Sequence, residues 1–443
     1  MDDSSEPKRP WHEKCRSLPL RQFYLAATAC ISLVLLASAF PLFRDKLTNV
    51  VPSDLRVDYL TAKAFKAGYS PFTREGARRA ELDDSPTGNA HPPTTSFWLL
   101  PLTNGSLKAA AFVVGLLTLC LLLLQTIATN LVLDVPCPLA TGWLVFACVS
   151  SSQFMACHLA AGQWSGLIGF LCFAAWLAAR RGDDWLAGIA LGAATTLKFF
   201  PAVVVLLFVV LGRWRIALAA CTVFLAVATV MTSRFGLHSW PLFFANQSAV
   251  ADIWMDSVLS HSIHGVVLRF FRPACGPHGG PLLVSTLISS TLAAALLFVA
   301  GWWSRQAIRA GGSLDLPVAL FIVLSSLVFP VAWEHYSIID VFPATVAAVY
   351  LVREWRSGLR WPFVALGFLL LLALVASWQL SYLPRLELQQ SARAGAREVH
   401  LDLHFREIAN WLPPLGLALL LGALLRRSLA SLVPHPLSRT GDT

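Results

Sequence analysis

Charge is scarce in this sequence: of 443 residues only 13% are Asp, Glu, Lys or Arg, whereas 56% are apolar and mean hydropathy is +0.62. Soluble domains carry about 25% charged residues, so there is too little charge here for an ordinary water-facing surface. Cysteine motifs are lacking as well. The nine Cys are scattered, none forms a CxxC pair, and several, such as Cys120, Cys148 and Cys172, fall inside apolar runs. That argues against a zinc site or disulfide framework and leaves them as small core residues. The alternation of a membrane β-barrel is missing too. The net charge of +9 comes with no nucleic-acid motif.

What the sequence has instead is long apolar blocks rich in Leu, Ala, Val and Phe, several approaching the ~20 residues that cross a bilayer as a helix. The expected fold class is all-α, a polytopic membrane protein with about twelve transmembrane helices. The expected spans are 22–43, 107–130, 137–157, 163–179, 184–198, 200–212, 214–232, 281–304, 314–332, 336–352, 361–382 and 411–425. Spans 184–198 and 200–212 are short and meet at Lys198-Phe199-Phe200-Pro201. Proline removes a donor and disfavours helix before it, so a helical hairpin or a re-entrant pair is expected there. Many of the 16 Trp sit near run ends, as interfacial anchors do.

Basic residues orient the chain. Residues 1–21 carry Lys8, Arg9, Lys14, Arg16 and Arg21, and the apolar run that follows is longer than a signal-peptide core, although Ala37-Ser38-Ala39 resembles a cleavage site. A retained first span with a cytoplasmic N-terminus puts five basic clusters on the inner side: Arg180–Arg181, Arg213 with Arg215, Arg305 with Arg309, Arg353 with Arg356 and Arg360, and Arg426–Arg427. Both termini are then cytoplasmic. The domain reading is a cytoplasmic tail 1–21, one membrane domain 22–428 and a second tail 429–443. Loops 44–106, 233–280 and 383–410 face outward. The first 15 residues and 430–443 are expected to be disordered.

The outward loops hold the chemistry. Asp54 and Asp58 lie one helical turn apart in Asp54-Leu55-Arg56-Val57-Asp58-Tyr59, where Leu55, Tyr59 and Ala62 share a face, as in a helix lying along a membrane surface. Basic and imidazole side chains in or beside the outward loops and apolar run ends are Arg56, Lys198, His335 and His264, with Glu334 beside His335. Each has a plainer reading. Asp54 suits a helix N-cap, Lys198 could snorkel to the interface, and Glu334 and His335 could simply end a helix. A lone Lys in an apolar stretch is costly, which favours function.

Six ordered pieces resemble glycosyltransferase family 87: Asp54-x-x-Val57-x-Tyr59 leading to Gly68-x-x-Pro71-Phe72; His91-Pro92-Pro93 leading to Pro101-Leu102; Gly162-Gln163; Ala187-Gly188; Lys198-x-x-Pro201; and Pro330-x-x-Trp333-x-His335. Together they cover about residues 22–350. Two pieces depart from the pattern: Ser260-His261-Ser262-Ile263-His264-Gly265 stands where the family has Asn-Gln-Ser-x-x-Gly, and Phe329 stands for a Ser. The resemblance implies a GT-C-type architecture, with Asp54 or Asp58 as the carboxylate that takes the acceptor hydroxyl's proton and Arg56, Lys198, His335, His264 and Glu334 as candidate contacts to the donor phosphate or sugar. It also implies inverting transfer of a hexose, mannose in the best-known branch, from a polyprenyl-phosphate-linked sugar to a glycolipid or glycan acceptor outside the cytoplasmic leaflet of the cell membrane. It implies no cofactor and no metal. Competing readings are an envelope-pathway protein with an altered active site and a secondary transporter. The transporter would need midplane charges and inverted repeats. Asp340 is the one charge well inside a span, and no repeat is visible.

Overall fold

A computed structural model describes residues 18–48, 52–82, 91–254, 260–271, 282–380 and 399–432. The expected disorder at the chain ends and most of loop 383–410 lie outside these residues. Among the described residues the regular structure is helical, apart from one isolated bridge between Ser260 and Trp333.

In chain order the helices are α1 (Leu18–Thr48), α2 (Ser53–Ala67), α3 (Arg74–Arg79), α4 (Leu107–Val132), α5 (Pro138–Ser150), α6 (Gln153–Ala161), α7 (Ser165–Arg180), α8 (Asp184–Leu197), α9 (Ala202–Val210), α10 (Trp214–Phe235), α11 (Ser239–Trp254), α12 (Ile263–Phe271), α13 (Leu282–Arg309), α14 (Asp315–Leu327), α15 (Val341–Arg356), α16 (Trp361–Leu380) and α17 (Val399–Leu432). Two 3₁₀ segments, Thr95–Asn104 and Glu334–Asp340, precede α4 and α15.

Each expected span coincides with helix, but the helices differ in reach. Among the described residues, five apolar helical stretches are long enough to cross a bilayer: Arg21–Lys46, Leu107–Val132, Trp214–Phe235, Leu283–Arg309 and His335–Arg356. The α5–α6 pair, bent by 65°, makes a sixth if it counts as one span. The remaining expected spans are mostly shorter helices, several of them packed inside. The expected loops are also more structured than their polarity implied. Loop 44–106 contains α2 and α3, loop 233–280 contains α11 and α12, and 399–410 belongs to α17. Residues 399–410 carry no Gly or Pro and continue as helix into the last expected span, through Pro413 and Pro414.

The core is built around α14, whose thirteen residues are all buried. A helix that is apolar all round suits a protein interior or a membrane span, and here neighbouring helices cover it on every side. Against it pack α7 and α15, where Trp176 meets Phe342 at 4.8 Å and Phe173 meets it at 5.9 Å between ring centroids. The outward faces are apolar instead of charged, with Phe23, Leu33, Leu287, Phe298 and Phe363 all exposed.

One carboxylate ties this core together at its basic end. Asp315 accepts from Arg180 Nη1 at 2.6 Å, Trp176 Nε1 at 3.0 Å and the Tyr350 hydroxyl at 2.9 Å. A buried charge needs this many partners to offset its lost hydration. Nearby, Arg213 at the end of α9 donates through Nε to Asp184 at the start of α8 at 2.9 Å. That pair closes α8 and α9 into the expected hairpin. Its tip, at Lys198, lies ~21 Å away along the fourteen residues of α8.

Small residues let α8 approach α10. A Cβ on Gly188 would stand 2.4 Å from the Ile216 carbonyl oxygen, and one on Gly192 would stand 2.7 Å from that of Ala220. This is the close backbone contact that a small-xxx-small stripe allows. Gly188→Val should therefore destabilise the fold by about 1–3 kcal/mol through overpacking. Thermal unfolding in detergent would read this, and an unchanged melting temperature would contradict the contact.

Candidate active site

The site begins at the first turn of α2. Pro52 is the N-cap residue, in extended conformation, and its carbonyl accepts from Arg56 N at 3.0 Å. Asp54 is therefore not the cap that its position in the sequence allowed; it is the second helical residue. Its carboxylate accepts from the Ser53 hydroxyl at 2.9 Å and from the side-chain amide of Gln163. It is only half-buried, so one side faces outward from the network. The helix N-terminus favours the negative charge there.

Gln163 arrives through an unusual junction. Gly162 ends α6 in the left-handed region, at φ 67°, and donates to His158 O at 2.9 Å. A Cβ at Gly162 would lie 2.5 Å from Leu55 Cβ and 2.7 Å from Pro52 Cβ. Only glycine both permits the turn and lets α6 touch the start of α2. The next two residues then face α2. Gln163 Nε2 donates to Asp54, and Trp164 Nε1 donates to Asp58 Oδ2 at 2.7 Å.

Asp58 is wholly buried, as are its neighbours on that face, Leu55, Tyr59 and Ala62. The shared face is as the sequence predicts, but it packs against protein and does not lie along a membrane surface. The Tyr59 hydroxyl donates to Gly105 O at 2.5 Å, fastening α2 to the start of α4. His91 Nδ1 lies 2.8 and 2.9 Å from the two Asp58 oxygens. A carboxylate only accepts, so Nδ1 carries the hydrogen. Asp58 thus holds the His91 ring in one tautomer and orientation.

Lys198 follows α8 as an extended C-cap residue, as expected for a residue so close to a Pro-directed break. The α8 carbonyls left open by that break are taken up by the first loop. The Thr94 hydroxyl donates to Thr196 O at 2.7 Å and the Thr95 hydroxyl to Leu197 O at 2.8 Å. These bonds set the Lys198 ammonium beside the Asp54 network. Nζ donates to Gln163 Oε1 and to the Tyr336 hydroxyl, each at 2.7 Å, and sits 4.3 Å from the Tyr336 ring centroid. Lys198 is buried and does not snorkel. Because its amide nitrogen must face the carboxylate and its oxygen the ammonium, Gln163 has one possible orientation.

His335 precedes Tyr336 and stacks at 13° on Trp333. It is buried, and Lys198, His158, His261 and His91 are all close enough to act on it electrostatically. Among the described residues, three buried imidazole nitrogens have no hydrogen-bond partner: His335 Nε2, His261 Nε2 and His158 Nδ1. Burial, aided by the charge of Arg269, lowers the pKa of His261 to about 4, so it is neutral at ordinary pH. Segment 260–262 is sewn to the residues before His335: His261 N donates to Ala332 O at 2.9 Å and the Ser262 hydroxyl to Pro330 O at 2.8 Å. Phe329 meets Phe200 at 6.2 Å, next to Lys198. The two departures from the family pattern are thus packed together.

The Asp54–Asp58 pair, Lys198 and His335, far apart in sequence, come together. Arg56 does not join their hydrogen bonds; its Nη2 donates to Glu81 O at 3.1 Å and braces the loop after α3. His264 points to α13, with Nδ1 2.7 Å from the Ser289 hydroxyl, and burial lowers its pKa. The Glu334 side chain lies outside the described residues. Gln163, Trp164, Tyr336, His158 and His261 were not singled out as site residues by sequence reasoning. Polar groups abutting apolar runs were the available signal for Gln163 and His158. Nothing in the local sequence separates Trp164 or Tyr336 from interfacial aromatics.

Residues 89–330, more than half of the chain, match glycosyltransferase family 87. The chain belongs to that family. The match takes in His91, Gln163 and Lys198, while Asp54, Asp58 and His335 lie outside it. No curated protein matches the chain.

Gly162→Ala should separate Gln163 from Asp54, because the methyl group meets Leu55 and Pro52 and the αL backbone costs ~1–2 kcal/mol. Gly182→Ala is the control: Gly182 has φ 84° but nothing within 4 Å, so it pays only the backbone cost. Sugar transfer should fall at least tenfold further in Gly162→Ala than in Gly182→Ala (roughly one lost charge-assisted contact). Equal activities would show that the junction does not position the site.

Proposed function

We propose that this family 87 glycosyltransferase moves a hexose, mannose being the first choice, from a polyprenyl-phosphate carrier to a hydroxyl of a lipid or glycan acceptor. The observation that carries the proposal is the Gln163 amide. It holds a half-exposed carboxylate, Asp54, on one side and a buried ammonium, Lys198, on the other. Glycosyl transfer from a lipid phosphate needs both groups within one sugar's reach. The acceptor hydroxyl requires a base as its oxygen bonds to the anomeric carbon. The leaving phosphate requires a fixed donor as the old C–O bond breaks.

In this reading Asp54 takes the acceptor proton. The acceptor oxygen attacks the anomeric carbon from the side opposite the phosphate, which inverts it, and the polyprenyl phosphate leaves with the bonding electrons. Lys198 has a third N–H beyond its bonds to Gln163 and Tyr336, and this N–H meets the phosphate. The unpartnered nitrogens of His335 and His261 complete the donor pocket. Asp58 is fully buried with both oxygens engaged, so it serves as a positioning residue for His91. No nucleotide, metal or other cofactor enters this chemistry. The remaining helices, short ones included, fill out a GT-C-type bundle of about twelve passes through the cell membrane as one domain, 22–428. The basic end of that bundle is cytoplasmic, as are both termini, and the site faces outward.

Asp54→Asn keeps shape but cannot take the proton, so kcat should drop ~10²- to 10⁴-fold with donor binding nearly intact. Lys198→Met should lower the rate ~10²- to 10³-fold and weaken donor binding. Asp58→Asn should cost less than either. The measurement is transfer from a polyprenyl-phosphate sugar in liposomes. Full activity in Asp54→Asn together with a dead Asp58→Asn would move the base to Asp58.

Orientation has its own test. In a Cys-free background, Glu75→Cys should react with an impermeant maleimide added outside intact cells. Labelling only after the cytoplasmic face is opened would reverse the topology.

A further inference from the structure

A groove of about 370 Å³ between α4, α5, α15 and α16 runs along α15 to an arginine rim at the basic end of the bundle. That volume falls in the ~300–1,000 Å³ range of ligand sites. Its floor is one face of α15. Val341, Ala344, Thr345, Ala348, Val349 and Val352 recur at i, i+3, i+4, i+7, i+8 and i+11, which places them along a single helical stripe. The small Ala residues hollow the stripe over ~16 Å of helix.

The polar side chains in the lining are turned away from it. Asn130 Nδ2 donates to Thr126 O at 2.8 Å, the Thr141 hydroxyl to Pro136 O at 3.1 Å and the Thr345 hydroxyl to Val341 O at 2.8 Å. What remains is hydrocarbon surface, which water wets poorly and an alkyl chain fills well. The rim is charged. Arg353, Arg356 and the exposed Asp134 stand at one end, two cations against one carboxylate. Arg353 is fixed there, donating to Leu133 O at 2.7 Å and lying 5.3 Å from the Tyr350 ring centroid. Arg356 follows one turn later and is exposed.

We propose that this groove binds an anionic glycerophospholipid, with an acyl chain along α15 and the lipid phosphate at Arg353 and Arg356. The carrier lipid of the reaction is the wrong occupant, because its phosphate belongs near Lys198 and Tyr336. The sixteen residues of α15 put ~24 Å between that end and Arg356. A tail in this groove headed by a phosphate at the arginines therefore belongs to a second lipid, whatever sugar the enzyme moves.

The test uses the full-length protein in detergent, titrated with phosphatidylglycerol, phosphatidylcholine or phosphatidylethanolamine of equal chain length. Thermal shift and retention in native mass spectrometry are the readouts. Phosphatidylglycerol should stabilise and be retained above the other two. Arg356→Ala, at an exposed position that cannot unfold the core, should weaken that binding about fivefold, the worth of one basic residue at an anionic lipid surface. Ala348→Trp should block the groove and abolish the preference. Equal response to all three lipids, a preference that survives Arg356→Ala, or displacement of phosphatidylglycerol by polyprenyl phosphate would each overturn the proposal.

Discussion

A neutral amide between two charges governs the architecture of the site. Gln163 satisfies the Lys198 ammonium with its oxygen and the Asp54 carboxylate with its nitrogen. Direct contact of the two charges would leave a salt bridge whose groups are spent on each other. The intervening amide holds them close but leaves each with capacity for a ligand. The same residue explains why a Lys can stay buried in an apolar bundle, since an ammonium there needs fixed acceptors. Tyr336 adds a hydroxyl acceptor and the face of its ring.

That arrangement depends on backbone breaks more than on helices. Gly162 turns the chain where α6 ends against α2, the bend before Pro201 frees Lys198 from α8, and the 3₁₀ segment Glu334–Asp340 presents His335 and Tyr336. Each break leaves open polar groups, and the first loop closes some of them: Thr94 and Thr95 cap α8. The first loop is thereby also a structural plug. The pairing of segment 260–262 with 330–332 does the same on the opposite wall. This gives a physical reason for both departures from the family pattern to occur together.

The molecule has two polar ends with different jobs. At one end lie carboxylates, imidazoles and a single buried Lys. At the other, Arg180, Arg213 and Arg353 bind carboxylates or helix-terminal carbonyls and lock α7, α8, α14 and α15 in place. The rigid basic end holds the helices whose far tips form the site, and the Arg-rimmed groove sits within it.

Composition and periodicity determined that the chain is helical, where most helices lie, that the stretch around Lys198 breaks, and that Leu55, Tyr59 and Ala62 share a face; that this face is buried in protein was decided by packing. The first four are local consequences of apolar run length, proline geometry and the helical repeat, all readable along the chain. The hairpin of α8 and α9 could also be drawn from the break alone. Tertiary structure decided which side chains meet. Asp54 and Gln163 are 109 residues apart, and Lys198 and Tyr336 are 138 apart. No local pattern encodes such distances. Only packing showed that Arg56 braces a loop, that His264 faces α13 and that Asp58 is sealed beneath His91. A charged side chain's role depends on what lies across from it, and in a bundle of helices that neighbour is supplied by a distant part of the chain.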